Sequence, residues 1–464
     1  MKKALALTLA AAMAATLLAG CGGGSGSSAA ASTAGGDSAS AEASGVPSYA
    51  SLKVGEDYTD LKADLKLISH RTDLIADGTF DNYVAEFQKM YPGINIKYEG
   101  ITDYVGDMTT RLTSNDWGDI CMIPTTIPLT ELGDYFQVLC QLDEIKDEYN
   151  FADNRAFGQD VYGIPSTGNA QGIVYNKAVF EAAGITELPK TPDEFLADLQ
   201  LIKDNTDAIP LYTNFAAGWT MTAWDAYISG GATGDSDWMN ITMPQTKDPF
   251  ADRGDGTGPY AVYKILYDAV SMGLTEDDPT TTDWEGCKPM INNGEIGCMV
   301  LGSWAIVQMQ AAGDNADDIG YMPFPITVNG TQYASAGADY CYGVNKNISD
   351  DNKIAAMLYI KWLSESSNFA YDQGGVPVLK SQEYPETLKA FDGIELIEDT
   401  QAPAEIADLQ PNVNQESELS LNADQTHVQR VVEAAINGDE TLDDIVADWN
   451  EAWNAAVDEY APAK

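Results

Sequence analysis

The sequence predicts an α/β protein with two domains, and three features of the chain support this. Apolar segments in the first third of the chain alternate between strand and helix patterns in the order βαβαβ, which is typical of a parallel sheet covered by helices. The pattern of elements changes after about residue 162. The chain has 464 residues, which is more than a single hydrophobic core accommodates.

The elements of the first domain follow from hydrophobic periodicity. Phe80, Val84 and Phe87 recur at helical spacing, and Pro92 ends that helix. The segment that starts at Ile94 alternates apolar and polar residues, as a half-buried strand does. The predicted strands are 66–69, 94–98 and 120–123, and the predicted helices are 79–91 and 103–112.

The second domain is predicted from the same signals. Gly184 ends one helix, and Thr191 and Pro192 open the next as N-cap and first helical residue. Residues 231–260 are rich in Gly, Asp and Thr and predict a surface loop. Strands are predicted at 209–212 and 297–301, and helix is predicted for the last 40 residues.

The amino terminus has the pattern of an export signal. Lys2 and Lys3 precede an apolar run over 4–18, which is too short for a confident membrane span. The run ends in Leu-Ala-Gly-Cys21, which resembles the lipobox of bacterial lipoproteins. The resemblance implies that residues 1–20 are a signal peptide and that Cys21 carries lipid, palmitate included. An ordinary secretory signal that happens to precede Cys remains the alternative.

Residues 21–58 are predicted to be a lipidated flexible tether. The segment after Cys21 is almost wholly Gly, Ser, Ala and Thr, which cannot bury enough apolar surface to order itself. About 25 such residues reach roughly 25–30 Å. The predicted location is therefore the extracytoplasmic face of the cell membrane, as on a Gram-positive cell surface, with the membrane contacted only through the lipid.

Charge restricts the partners. The net charge of −46 argues against nucleic acid, whose phosphates require Lys and Arg, and it disfavours polyanionic ligands. Neutral and cationic ligands remain open. With Cys21 lipidated, an odd number of cysteines is left and no C-x-x-C pair occurs, which favours buried free thiols over a disulfide framework. A single bridge, for instance between Cys287 and Cys298, stays open.

Signatures of catalysis are missing from the sequence. The chain has two histidines, His70 and His427, and no G-x-S-x-G, H-E-x-x-H or P-loop motif. Residues 252–256 (Asp-Arg-Gly-Asp-Gly) are similar to part of a calcium loop but lack the closing Glu. We therefore predict no enzyme activity, no cofactor and no metal. Paired carboxylates among the 71 acidic residues leave a glycoside hydrolase as an alternative.

Five sequence blocks together resemble the extracellular solute-binding proteins of ABC importers, specifically the sugar-binding family that includes maltodextrin-binding proteins. The first block is Gly-Ile-Val-Tyr-Asn-Lys at 172–177 with Thr-Pro-Asp-Glu-Phe at 191–195. The others are 293–304 (Asn-Gly-Glu-Ile-Gly-Cys-Met to Gly-Ser-Trp), 321–325 with 343–345, 375–378 (Gly-Val-Pro-Val) and 434–438.

The resemblance implies a periplasmic-binding-protein-like fold of two domains with a ligand cleft between them. Three interdomain crossings are expected, near 166–172, 320–325 and 372–378. The amino-terminal lobe would be 59–168 plus 323–373, and the carboxyl-terminal lobe 169–322 plus 374–464. Closure about a hinge would trap the ligand. The protein would act as a monomer and deliver its ligand to the permease subunits.

A sugar site combines aromatic platforms for C–H faces with carboxylates and amides for hydroxyl groups. By resemblance, the platforms are Trp304, Trp219 and Tyr340, and the polar candidates are Asp339, Asn214, Arg71, His70 and Asp119. A salt bridge with Asp73 or Asp77 is the alternative for Arg71, and ordering of a strand start is the alternative for Asp119.

The resulting prediction is a binding protein for a neutral carbohydrate, an oligosaccharide. The maltodextrin branch places an aromatic residue downstream of a Pro-Asn turn that resembles Pro411-Asn412, but residues 415–420 contain no ring here. This departure speaks against maltodextrin as the ligand. A polyamine or other cationic solute is the alternative among binding proteins.

Overall fold

The structure is a computed structural model, and it describes residues 45–102, 104–114, 116–391 and 393–460. The predicted signal peptide and Cys21 lie outside these residues. Within the described ranges, no helix is both long and apolar enough to cross a bilayer.

Strands of the described chain form two main sheets and one small one. The strands are β1 (Ala63–Ser69), β2 (Ile94–Gly100), β3 (Ile120–Met122), β4 (Cys140–Gln141), β5 (Ala156–Phe157), β6 (Asp160–Val161), β7 (Gly163–Pro165), β8 (Gly168–Asn176), β9 (Ile209–Leu211), β10 (Ile296–Gly302), β11 (Ile319–Pro323), β12 (Thr327–Val328), β13 (Thr331–Ala338), β14 (Cys341–Val344) and β15 (Glu395–Ile397). The first sheet has the order β2-β1-β3-β14-β7. The second has the order β12-β13-β8-β10-β9, with β11 paired to β8 and β15 paired to β13.

Helices cover both main sheets. They are α1 (Thr72–Ala76), α2 (Thr79–Phe87), α3 (Tyr104–Ser114), α4 (Leu132–Tyr135), α5 (Lys177–Ala183), α6 (Pro192–Asn205), α7 (Trp219–Thr222), α8 (Gly230–Thr233), α9 (Gly258–Ser271), α10 (Trp284–Asn292), α11 (Ala305–Ala311), α12 (Asp350–Glu365), α13 (Phe369–Asp372), α14 (Leu409–Glu416), α15 (Thr426–Asn437) and α16 (Leu442–Tyr460). As predicted, Thr191 caps α6, and its hydroxyl accepts a hydrogen bond from the Glu194 amide.

Each main sheet has its own hydrophobic core, so the described chain consists of two lobes. In the first lobe, α2 and α12 pack on the sheet, with Phe87 and Tyr359 fully buried. In the second lobe, α6, α9 and α16 bury Phe195 and Trp453 in the same way. The predicted strands and helices of both domains are present, with their ends shifted by a few residues.

The crossings between the lobes fall at three places in the described chain. The first lies between Pro165 of β7 and Gly168 of β8. The second lies between β13 and β14, at residues 339–340, and not near 320–325, because β11 and β13 both pair with β8 of the second sheet. The third follows Gln382, which still bonds to Glu365 of the first lobe. Residues 323–338 therefore belong to the second lobe.

Two further regions differ from the sequence prediction. Tyr49 lies within the range assigned to the tether, but it is fully buried in the first lobe, and its amide bonds to the Leu139 carbonyl. The predicted surface loop at 231–260 contributes Trp238 and Phe250 to the core of the second lobe. The prediction was wrong because Trp238 and Phe250 are isolated apolar residues in a Gly- and Asp-rich segment, and they show neither strand nor helix periodicity.

The five cysteines of the described chain are free and buried: Cys121, Cys140, Cys287, Cys298 and Cys341. Burial raises the pKa of the Cys140, Cys287 and Cys341 thiols to about 12 in each case. These thiols therefore stay protonated at neutral pH.

Candidate functional site

One face of the second sheet is open near the crossings. Along β8, Asn169 and Gln171 are half-buried, whereas the residues between and beside them are buried. Gln171 pairs with Gly302 of β10, and Asn169 pairs with Gly337 of β13. Directly paired residues point to the same face of a sheet, and residues two apart along a strand are separated by about 7 Å. Asn169, Gln171 and Gly337 therefore share one exposed face.

Three tryptophans gather at the end of this face. Trp219 begins α7, Trp284 begins α10, and Trp304 directly precedes α11. The Trp219 ring centroid lies 4.9 Å from that of Trp284 and 5.7 Å from that of Trp304. Trp219 is 46% exposed although it is a large apolar side chain. A Cβ added to Gly302 would lie 2.6 Å from the Trp304 indole nitrogen and 3.3 Å from the Gln171 amide oxygen, so the tryptophan cluster adjoins Gln171.

A polar cluster lies at the other end of the open face. Asp339 accepts a 3.0 Å hydrogen bond from the side-chain amide of Asn169, and its other oxygen lies 3.4 Å from His70 Nε2. The His70 ring lies against Tyr340, with centroids 4.4 Å apart, and edge-on to Tyr104. His70 follows the carboxyl end of β1, where open parallel sheets place ligands. The structure thus brings the three candidates His70, Asp339 and Tyr340 together.

The electrostatics of this cluster suit recognition of hydroxyl groups. Burial alone would raise the pKa of Asp339, but the contact with His70, the charge of Arg71 and the bond from Asn169 hold that pKa below its ordinary value. Burial, and then the Asp339 charge, raise the pKa of Tyr340. At neutral pH the site therefore presents an ionised acceptor beside a protonated phenol that can donate.

Arg71 is engaged in a different contact. Its guanidinium binds Asp73 through Nε and Nη2, at 2.9 and 2.7 Å, and donates a further 2.9 Å bond to Gln373. The structure thus contains the salt bridge with Asp73 that was the alternative for this residue. Arg71 still contributes positive charge beside Asp339.

Asn214 lies in the turn before α7, the helix that begins at Trp219. It is 1% exposed and adopts a left-handed backbone conformation, with φ 58°. Its side-chain amide points to the sulfur of Met299 at 3.2 Å. Asn214 therefore helps to shape the turn that leads to Trp219, and its side chain is not on the open face.

Asp119 lies apart from the other candidates. Its carboxylate accepts hydrogen bonds from the Lys66 amide at 2.8 Å and from the Asn352 side chain at 2.9 Å. It precedes β3, whereas His70 follows the parallel strand β1. Asp119 is thus at the opposite edge of the first sheet, where it orders a strand start.

The two clusters form one continuous surface because β8 connects them. Asn169 bonds to Asp339, and Gln171, two residues later on the same face, adjoins the tryptophans. Aromatic rings, amides and a carboxylate along this surface fit a ligand with alternating apolar and hydroxyl-bearing surfaces.

Comparison with known proteins decides the family. The profile of bacterial extracellular solute-binding proteins matches residues 72–368. The chain belongs to this family. A curated relative, the multiple sugar-binding protein of Streptococcus mutans serotype c, is 24% identical over 327 residues, which are 65% of this chain and 72% of the relative.

Solved structures of solute-binding proteins are similar over almost the full chain. A binding protein of an ABC transporter from Bifidobacterium animalis subsp. lactis, in complex with mannobiose, is 47% identical, with a TM-score of 0.83 over 89% of this chain and 99% of that chain. A manno-oligosaccharide-specific solute-binding protein from the same organism, in complex with mannotriose, is 44% identical, with the same TM-score and coverage. Both share the two-domain architecture of this solute-binding protein.

Several residues of the site were not found from the sequence of this solute-binding protein. Trp284 is the first residue of α10, after the N-cap Asp283, and in the sequence this helix looks like an ordinary amphipathic helix. Its role becomes visible only from the contacts of its ring with Trp219 and Trp304. Asn169 and Gln171 precede the recognisable block at 172–177, and their strand alternation is the only signal in the sequence.

Proposed function

We propose that this solute-binding protein captures a manno-oligosaccharide outside the cell and delivers it to the permease of an ABC importer. The observation that carries the proposal is the continuous surface from the Trp219, Trp284 and Trp304 rings to Asp339. Pyranose rings stack on aromatic faces, and their hydroxyl groups bond to amides and carboxylates. The relatives solved with mannobiose and mannotriose support mannose as the sugar.

The charge of the site favours an uncharged ligand. Asp339 accepts a hydrogen bond from Asn169, contacts His70, and lies beside the positive charge of Arg71. Lys288 lies 4.8 Å from the centre of the Trp284 ring and forms an ion pair with Glu285 at 2.9 Å, so these two charges offset each other at the tryptophan end. Paired charges of this kind suit a neutral sugar better than a polyamine, which needs free carboxylates.

We propose binding without catalysis. Glycoside hydrolysis needs a carboxylic acid with a raised pKa placed beside the scissile bond. The carboxyl of this site, Asp339, has a lowered pKa and two partners instead. Such a group serves as a fixed acceptor.

Calorimetric titration tests the ligand. Mannobiose, mannotriose and mannotetraose should bind, and maltotriose, cellotriose and spermidine serve as comparisons. Chromatography of the same mixtures after prolonged incubation should show intact sugars. Release of shorter products would establish the hydrolase alternative, and binding of spermidine alone would establish the cationic one.

We further propose that lipid on Cys21 holds the protein at the membrane, so that the captured sugar stays within reach of the permease. Cell fractionation tests this with the full-length chain and its Cys21→Ala variant. The wild type should sediment with membranes and the variant should be released. A variant that remains fully membrane-bound would refute lipidation at Cys21.

A further inference from the structure

Gly337 has no structural requirement for glycine. A Cβ built on this residue meets no atom within 4 Å. Seven other glycines of the described chain have equally open surroundings, and each of those seven has a positive φ, which explains glycine there: Gly78, Gly158, Gly184, Gly254, Gly330, Gly393 and Gly438. Gly337 lies in β13 without a positive φ, so neither its backbone conformation nor a close neighbour demands it.

Glycine inside a strand is unfavourable for folding. It loses more conformational freedom than other residues and adds no side-chain packing. In a strand it often marks a place where a ligand or another backbone approaches closely. No protein atom approaches this position, so the ligand is the remaining candidate.

Gly337 lies on the open face next to the polar cluster. It pairs with Asn169, whose side-chain amide donates a hydrogen bond to Asp339. Two residues earlier, the Ser335 hydroxyl is covered, since it bonds to the Ser229 hydroxyl and accepts from the Gly231 amide. The face of β13 thus changes from covered to open at Gly337, beside the polar cluster.

We infer that Gly337 is a specificity-determining residue, whose lack of a side chain lets a sugar ring lie directly against β13 beside Asn169. The inference rests on the proposed function. Any side chain at this position would project into the open space above β13 and displace the ring from Asp339 and Asn169.

The test compares Gly337→Ala and Gly337→Val with the wild type by calorimetry with mannotriose and by thermal unfolding. Alanine should weaken mannotriose binding at least about tenfold, because its methyl group would occupy space that the sugar needs. Valine is larger and should weaken binding further. Alanine should leave the melting temperature unchanged or slightly raised, because it restricts the unfolded chain and meets free space. A gain in stability with a loss of binding is a result that mere structural damage does not produce.

Gly45→Ala is the matched control. It adds the same methyl group away from the site, where the nearest atom, a carboxylate oxygen of Asp350, is 3.6 Å from the added carbon. This variant should change neither affinity nor stability. Wild-type affinity in Gly337→Ala would overturn the inference, and so would a large fall in its melting temperature. If the wild type itself binds no sugar of the panel, the proposed function fails and the inference fails with it.

Discussion

The side-chain amide of Asn169 donates a 3.0 Å hydrogen bond to the carboxylate of Asp339. Asn169 follows the first crossing between the lobes, and Asp339 lies in the second. The same carboxylate lies 3.4 Å from His70 of the first lobe. Backbone bonds reinforce this junction, since the Asp339 amide donates to the Thr167 carbonyl. One carboxylate therefore links both crossings to the first lobe at the edge of the open face.

Asp339→Asn should lower the free energy of unfolding at neutral pH by about 1–2 kcal/mol, because a charge-assisted contact becomes a neutral one. The folded-state pKa of Asp339 is lowered. Its stabilising contribution is therefore present above the ordinary value of about 4 and is lost as the pH falls through the lower folded-state value. Urea unfolding at neutral pH and at about pH 3 should show the difference between wild type and variant shrinking in acid.

The exposed Asp207 provides the control for this titration. Asp207→Asn removes the same charge from the surface and should change stability by no more than about 0.5 kcal/mol. A difference for Asp339→Asn that persists undiminished in acid would show that the charge of this residue is not what stabilises the junction.

Trp219→Ala should weaken mannotriose binding by about tenfold to a hundredfold, as removal of an aromatic anchor does. The melting temperature should change little, because the ring is 46% exposed and contributes little to the core. Met272 has the same exposed fraction and lies outside the site, so Met272→Ala is a matched control that should bind normally. Calorimetry and thermal unfolding of both variants measure the two effects. Unchanged mannotriose affinity in Trp219→Ala would show that the Trp219 ring does not contact the ligand.

Local sequence signals were sufficient for the elements but not for all of the site. The Thr191 cap and the periodicity of α2 depend on neighbouring residues, and both were predicted. The strands that the sequence identifies predicted where His70 and Trp304 lie, because His70 directly follows β1 and Trp304 follows β10 after one residue. Their contact with a ligand stays a prediction. Trp284 was missed, because its role depends on a contact with Trp219, which is 65 positions away and is made only by folding.

Lobe boundaries were harder to predict for a related reason. Whether β13 belongs to the first or second lobe depends on its pairing with β8, which is far away in the sequence. Asn214 illustrates the same limit at one residue. A polar residue beside an exposed tryptophan suggests a ligand contact, but the left-handed turn directs its side chain to Met299 in the interior.

The buried thiols should be unreactive in the native protein. Burial raises the pKa of Cys298 above its ordinary range, as it does for Cys287, so neither thiol ionises near neutral pH. Titration with a thiol reagent should label none of the five cysteines of the described chain until denaturant is added, and all five afterwards. Reducing agent should leave the melting temperature unchanged. A labelling deficit of two after denaturation would indicate a bridge such as Cys287 with Cys298.

Gly168→Ala should destabilise the hinge through Phe151. The added Cβ would lie 2.0 Å from the Phe151 ring, which is only 4% exposed. This ring packs in a core cluster of the second lobe, whereas the nearby residues Tyr149 and Ala152 pack in the core of the first lobe. Displacing a buried ring in this way costs about 1–3 kcal/mol. In a Phe151→Ala background the clash disappears, so the same substitution at Gly168 should cost at least about 1 kcal/mol less. Urea unfolding of the four proteins gives this coupling energy. If the two costs are additive, the Phe151 ring does not constrain Gly168 at the first crossing. If they are coupled, Phe151 is the side chain that sets the position of β8 where the chain enters the second lobe.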